Sequence, residues 1–186
     1  MIWMIFKFLS PPPHFFMQVL ILALAILLVS CGTSEVRMDI LSVNTRYTEQ
    51  DPAFSGDGRF LAFVSNRSGS QQLLVYDLQN QGFAPIPGLN RRETIVENPS
   101  LSYTGRYICY LTSDRAKPVI ALYDRATKQS QVLTPTYGGW IKNPDISPDG
   151  RYIVFQSAGR GQWDIEVLDR GPTVELDIPN GRTVGS

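Results

Sequence analysis

One register recurs three times along this chain, and it leaves few folds open. Pro52, Pro99 and Pro144 are each followed six residues later by a glycine (Gly58, Gly105, Gly150), and nineteen residues after each glycine stands an aspartate (Asp77, Asp124, Asp169). The same spacing puts Ser55, Ser102 and Ser147 three residues before the glycine and Arg59, Arg106 and Arg151 directly after it. An aromatic follows each arginine (Phe60, Tyr107, Tyr152), and a second lies three residues beyond (Phe63, Tyr110, Phe155). The period is 47 residues from Gly58 to Gly105 and 45 from Gly105 to Gly150. A repeat of ~40–50 residues made of short strands has the length of one four-stranded propeller blade.

Each copy divides into strands and turns on local chemistry. The first strand runs into the serine, as in Asp51–Ser55. Ser147-Pro148-Asp149-Gly150 then reads as a tight turn, because proline presets φ while aspartate and glycine suit the exit. Gly56-Asp57-Gly58 serves the same turn in copy one, whereas Tyr103-Thr104-Gly105 is poorer in turn formers and predicts the loosest of the three. The second strands (60–64, 107–111 and 152–156) are apolar on both faces in the first two copies, as expected of a sheet held between neighbouring sheets. Leu73–Asp77 is a third strand and Gln131–Thr134 a fourth. The fold class is therefore all-β: propeller blades of four antiparallel strands, three per chain. Thr173–Ile178 supplies the outer strand of copy three, and Met38–Val43 reads as one more outer strand before the first copy. They bring the expected count to thirteen, one more than three blades need.

These residues resemble the TolB-type propeller repeat, whose signature is a proline, then Ser-Pro-Asp-Gly, an aromatic-aliphatic strand and a strand ending in aspartate. Pro144 through Asp169 is the nearest match, and the resemblance spans residues 40–178. It implies a periplasmic propeller that binds a partner in the cell envelope. The α/β domain preceding the propeller in TolB has no counterpart in the resemblance, and the partner-binding loops do not match.

Propellers ordinarily close with about four to eight blades. Three blades leave apolar faces open at both ends, which soluble proteins avoid. The expectation is a homodimer closing a six-bladed ring, with an amino-terminal strand completing a blade at the junction. A truncated remnant, or a different partner over the open ends, would answer the same problem.

The first 30 residues are of another kind. Phe15–Val29 is almost unbroken apolar sequence, short of the ~20 residues of a spanning helix and close to a signal-peptide core. It ends in Leu28-Val29-Ser30-Cys31, which resembles a bacterial lipobox, with Cys31 as the lipidated residue. Lys7 is the sole basic residue before it, and the start is open between Met1, Met4 and Met17. The expected organisation is a lipoprotein signal peptide at 1–30, a linker at 31–37, the three-blade domain at 38–180 and a tail at 181–186. An uncleaved anchor and a plain secretory signal are the other readings, and all of them export the chain. The reading places it on the periplasmic side of the envelope, lipid-anchored, with Gly32 favouring the outer membrane.

Composition narrows the chemistry. A formal net charge of zero gives no electrostatic case for nucleic acid. The single histidine, His14, lies in the leader, which removes histidine-based catalysis and the commonest metal ligand from the mature domain. No cofactor or metal is expected, and the chain reads as no enzyme. Cys109 sits in the register of Ala62 and Val154 and reads as a small core residue. The aspartates Asp77, Asp124 and Asp169 read as hairpin partners of Arg59, Arg106 and Arg151 rather than as catalytic carboxylates.

What remains is a binding face. Arg67, Arg115 and Arg160 follow the second strands, on the side of the blades expected to carry Arg91, Arg92, Trp140 and Lys142 on the crossovers. A basic face with an exposed aromatic suits an acidic protein or a glycan; the alternative is a solvated set of polar loops. The leading function is a non-enzymatic envelope lipoprotein that binds or scaffolds another envelope component. A glycan-binding or sensing module is the second reading.

Overall fold

Successive side chains of a strand leave opposite faces, so a strand apolar at every position must have a neighbour on each side. In the computed structural model, β6 (Tyr107–Asp114) is that strand over residues 107–111. The structure describes Val43, residues 45–90 and residues 95–178, all within the unit Val43–Ser186. The expected signal peptide 1–30, Cys31, the linker 31–37, the segment 38–42, Arg91, Arg92 and the tail 181–186 lie outside the described residues.

Three antiparallel sheets are stacked. Blade one orders β1 (Glu49–Phe54), β2 (Phe60–Ser65), β3 (Gln72–Asp77) and β4 (Gly82–Phe83). Blade two orders β5 (Val96–Leu101), β6, β7 (Lys117–Asp124) and β8 (Gln129–Val132). Blade three has β9 (Ile141–Ile146), β10 (Tyr152–Ser157) and β11 (Asp164–Asp169). Ile108 and Tyr110 of β6 join the core shared with blade one, beside Ala62, Val64, Leu73 and Val75. The intervening Tyr107, Cys109 and Leu111 join the core shared with blade three, beside Ile141, Ile153 and Phe155. This period of two carries the stacking of the blades.

The repeated proline marks a bulge. Register shifts fall between Gln50 and Ala53, between Glu97 and Ser100, and opposite Val154 to Gln156. Each bulge carries a left-handed residue just before the proline: Asp51 (φ 52°), Asn98 (φ 46°) and Asn143 (φ 51°). Asn and Asp tolerate that conformation better than other side chains, and proline costs a ladder nothing where the ladder is already broken.

The turn between the first two strands is built alike in all three blades. Gly58, Gly105 and Gly150 donate to the carbonyls of Ser55, Ser102 and Ser147 at 2.9, 3.0 and 2.8 Å. Each serine Oγ accepts the backbone N–H of the following aromatic at 2.9 Å. Asp57 and Asp149 brace their own turns by accepting Arg59 N–H and Arg151 N–H at 3.0 Å. Blade two has Thr104 at that position, and the turn expected to be loosest borrows a carboxylate instead. Asp177 accepts the backbone N–H of Thr104 at 2.7 Å and also its hydroxyl.

That contact corrects the sequence reading of the last strand. Thr173–Ile178 does not form the outer strand of blade three, and eleven strands occur among the described residues. After Gly171 (φ 97°) and Pro172 the chain leaves the sheet and crosses the turn end of blades two and three. Glu175 takes the Arg106 guanidinium at 2.7 Å, its carbonyl accepts Tyr107 Oη–H at 2.5 Å, and Asp177 N–H donates to the Asp149 carbonyl at 2.9 Å. Charged and backbone partners on the neighbouring blades outweigh the ladder that an alternating Val-Glu-Leu-Asp-Ile run would otherwise join. Of the expected strand Met38–Val43 only Val43 is described, and it is not in a strand.

Candidate functional site

The repeated carboxylates are held by the repeated arginines. Arg59 meets Asp77 at 2.7 Å, Arg106 meets Asp124 at 3.2 Å and Arg151 meets Asp169 at 2.9 Å. The hydrogen bonds from Arg59 and Arg151 hold the Asp77 and Asp169 carboxyls down at about 2, below the ordinary 3.8. Burial pushes Asp124 the other way, but Arg106 and the Ala126 N–H outweigh it and its pKa is also lowered. Carboxylates so firmly ionised and paired are poor proton carriers at neutral pH. Cys109 is fully buried, and burial raises its thiol well above the ordinary range, so it is a core side chain.

Between blades two and three the seam opens at the end opposite the turns. The cleft there has a volume of about 460 Å³. Its walls come from Leu111, Thr112 and Pro118 of the β6–β7 hairpin and from Ile141 at the start of β9. Trp140 and Trp163 flank it, 67% and 51% exposed. Lys142 Nζ stands 3.8 Å from the centre of the Trp163 ring, a cation–π contact that fixes both groups at the rim. Glu97 adds one carboxylate. In the wall, the buried Thr112 Oγ1 has no hydrogen-bond partner among the described residues. An apolar cleft with aromatic flanks, a few charges and an unsatisfied hydroxyl has the make-up of a binding site.

The hairpin tip beside the cleft is strained. Arg115 and Ala116 both have positive φ, 48° and 63°. A two-residue turn of this kind favours Asn-Gly, and a side chain there costs ~1–2 kcal/mol per residue. Ala116 itself lines the cleft.

The sequence-derived cations separate into three groups. Lys142, with Trp140, belongs to the cleft, and Arg115 stands exposed on the hairpin tip next to it. Arg160 is exposed but bound to Asp164 at 2.9 Å. Arg67 is on blade one, paired with Glu49 at 2.8 Å and laid over the rings of Phe63 and Phe83 at 5.5 and 5.1 Å. Sequence reasoning missed Trp163 and Thr112. A tryptophan in the glycine-rich loop Gly159–Trp163 was a readable signal, because such a loop has no core to bury it. It also missed a second hollow of about 410 Å³ along the inner strands, where Asp51, Asn98, Asn143 and Asp145 gather around the three prolines. There Ser100 Oγ donates to Asp145 at 2.5 Å and accepts Ile146 N–H at 3.1 Å, tying two inner strands together. An Asp or Asn before each repeated proline was its sequence mark.

Residues 29–183 match the family model of the TolB beta propeller domain. TolB from Acinetobacter baumannii is similar in structure, with 24% identity and a TM-score of 0.58 over 70% of this chain and 32% of that one. A TolB-type structure from Agrobacterium tumefaciens gives 22% identity and a TM-score of 0.55 over 69% of this chain and 44% of that one. The tricorn protease gives 15% identity and a TM-score of 0.51 over 78% of this chain and 16% of that one. The chain spans less than half the length of each. At these identities the likeness concerns the fold. No curated protein sequence matches the chain.

Proposed function

This chain belongs to the TolB beta propeller domain family, and we propose that it is a non-enzymatic propeller of the cell envelope that binds another envelope component. The cleft between blades two and three, with Trp140, Trp163 and Lys142 at its rim, is the observation that carries the reading. Its walls are mainly apolar and its rim is charged, the arrangement in which an aromatic or aliphatic anchor from a protein partner is desolvated. The absence of histidine from the mature domain and the pairing of every repeated aspartate with arginine support a binding role over a hydrolytic one. The Phe15–Val29 run and Cys31 support export and a lipid anchor on the periplasmic side of the envelope, and Gly32 favours the outer membrane.

A glycan-binding or sensing module is the second reading, favoured by two exposed indoles that suit stacking on sugar rings. Photo-crosslinking from position 140 in intact envelopes separates the two. Protein adducts that vanish in Trp163→Ala fit the first; recovery only on peptidoglycan or polysaccharide fits the second. Adducts unchanged by Trp163→Ala and by Lys142→Glu would reject the cleft as the binding site.

A further inference from the structure

Each blade of this chain has a trailing face, turned to the next blade, and a leading face, turned to the one before. Four residues before the repeated aspartate the trailing side chain is Leu73, Ile120 or Ile165; two before it is Val75, Leu122 or Val167. In blades one and two these are sealed, with Leu73 and Ile120 at 0% exposure and Val75 and Leu122 at 1% and 4%. In blade three the same positions stand at 65% and 64%. The aromatic after the repeated arginine behaves alike. Phe60 is stacked by Arg125 of blade two at 3.9 Å and Tyr107 by Arg170 of blade three at 4.4 Å, while Tyr152 is 41% exposed.

Among the described residues, the leading face of blade one is the other unmatched surface, apart from Phe63, which Arg67 and Phe83 cover. The positions that blade two fills with Ile108, Ala121 and Tyr123, all buried against blade one, are Leu61, Leu74 and Tyr76 in blade one, apolar and half-buried. The two open faces therefore carry the register that packs twice inside the chain, trailing on leading. We propose that the trailing face of blade three is covered by the leading face of blade one of a second copy, and the reverse at the other junction. Two such contacts close a ring of six blades, within the ~4–8 that propellers use. The contact continues an interface the molecule already makes, and a two-fold pair satisfies both open faces at once.

The test is the mass of the 186-residue chain in detergent at micromolar concentration, by sedimentation. Two chains per particle are expected. Val167→Arg and Leu74→Glu, both on side chains not needed to fill the chain's own core, should each raise the dimer dissociation constant at least ~100-fold and leave single chains of unchanged circular dichroism. Both substitutions in one chain place opposite charges on the opposed third strands and should recover at least ~tenfold of the lost affinity. A single-chain mass for the unaltered protein overturns the proposal. So does a dimer that survives both single substitutions, or a double variant that recovers nothing.

Discussion

The seam between blades two and three is closed at one end and open at the other. At the turn end, Glu175 and Asp177 cross it and bind Arg106, Tyr107, Thr104 and Asp149. Gly150 sits so close that a Cβ there would lie 2.4 Å from the Tyr107 ring. At the loop end the same two sheets part around a cleft flanked by exposed indoles and a strained hairpin tip. One end spends its polar groups on the protein itself and the other leaves them for something else. The proposed binding function therefore falls at the loop end, and stability rests on the turn end and the middle.

Substitutions along the seam should reproduce that gradient. In the middle, Ile120→Ala should cost ~3 kcal/mol in urea denaturation, because a fully buried side chain leaves a cavity. An equal cost for Ile165→Ala in the isolated single chain would break the comparison, since that side chain is 65% exposed. At the turn end, Gly150→Ala combines φ 81° with the Tyr107 clash and should cost ~2–3 kcal/mol. Gly58→Ala has φ 72° but nothing within 4 Å, so it should cost only ~1 kcal/mol, and parity between the two would remove the close packing from the account. Asp177→Ala should lose ~1 kcal/mol and speed amide exchange at Thr104 selectively. At the loop end the sign reverses: Ala116→Gly should stabilise by up to ~1 kcal/mol by relieving a left-handed alanine, and weaken binding if the tip shapes the cleft.

The smallest effect is the response to acid. Asp77 and Asp169 titrate near 2 in the folded chain against an ordinary 3.8, so the folded state binds fewer protons than the unfolded one across that window. Their stabilisation is present above pH 4 and is lost as pH falls from about 4 towards 2. Denaturation midpoints measured through that range should flatten in Asp77→Asn, with a smaller change in Asp169→Asn, whose side chain is more exposed. An unchanged slope in both would mean that the arginine pairs do not hold in solution.

Much of this was legible in the chain itself. The three aspartate–arginine pairs, the serine-to-glycine turns and the burial of Cys109 follow from register, because positions equally spaced in a repeat meet equivalent partners. The fate of Arg67 was not legible. Like Arg115 and Arg160 it follows a second strand, but Glu49 and the Phe63 and Phe83 rings lie beside it in blade one and draw it down. Trp163 reaches Lys142 only because blade three turns its loop towards the start of β9, a juxtaposition of residues 21 positions apart.

The amino-acid sequence alone determined the blade, its period, the alternation that stacks one blade on the next and the lack of any histidine after His14. These are properties of spacing and residue type. Tertiary structure alone decided where the last segment goes and which end of the seam stays open. Thr173–Ile178 alternates like a strand, yet its partners are Arg106, Thr104, Tyr107 and Asp149, roughly 30–70 residues away, and it lies across the turns because those groups needed partners there. A local pattern can state what a segment is able to form. Only the folded surroundings settle which of its possible hydrogen bonds is made.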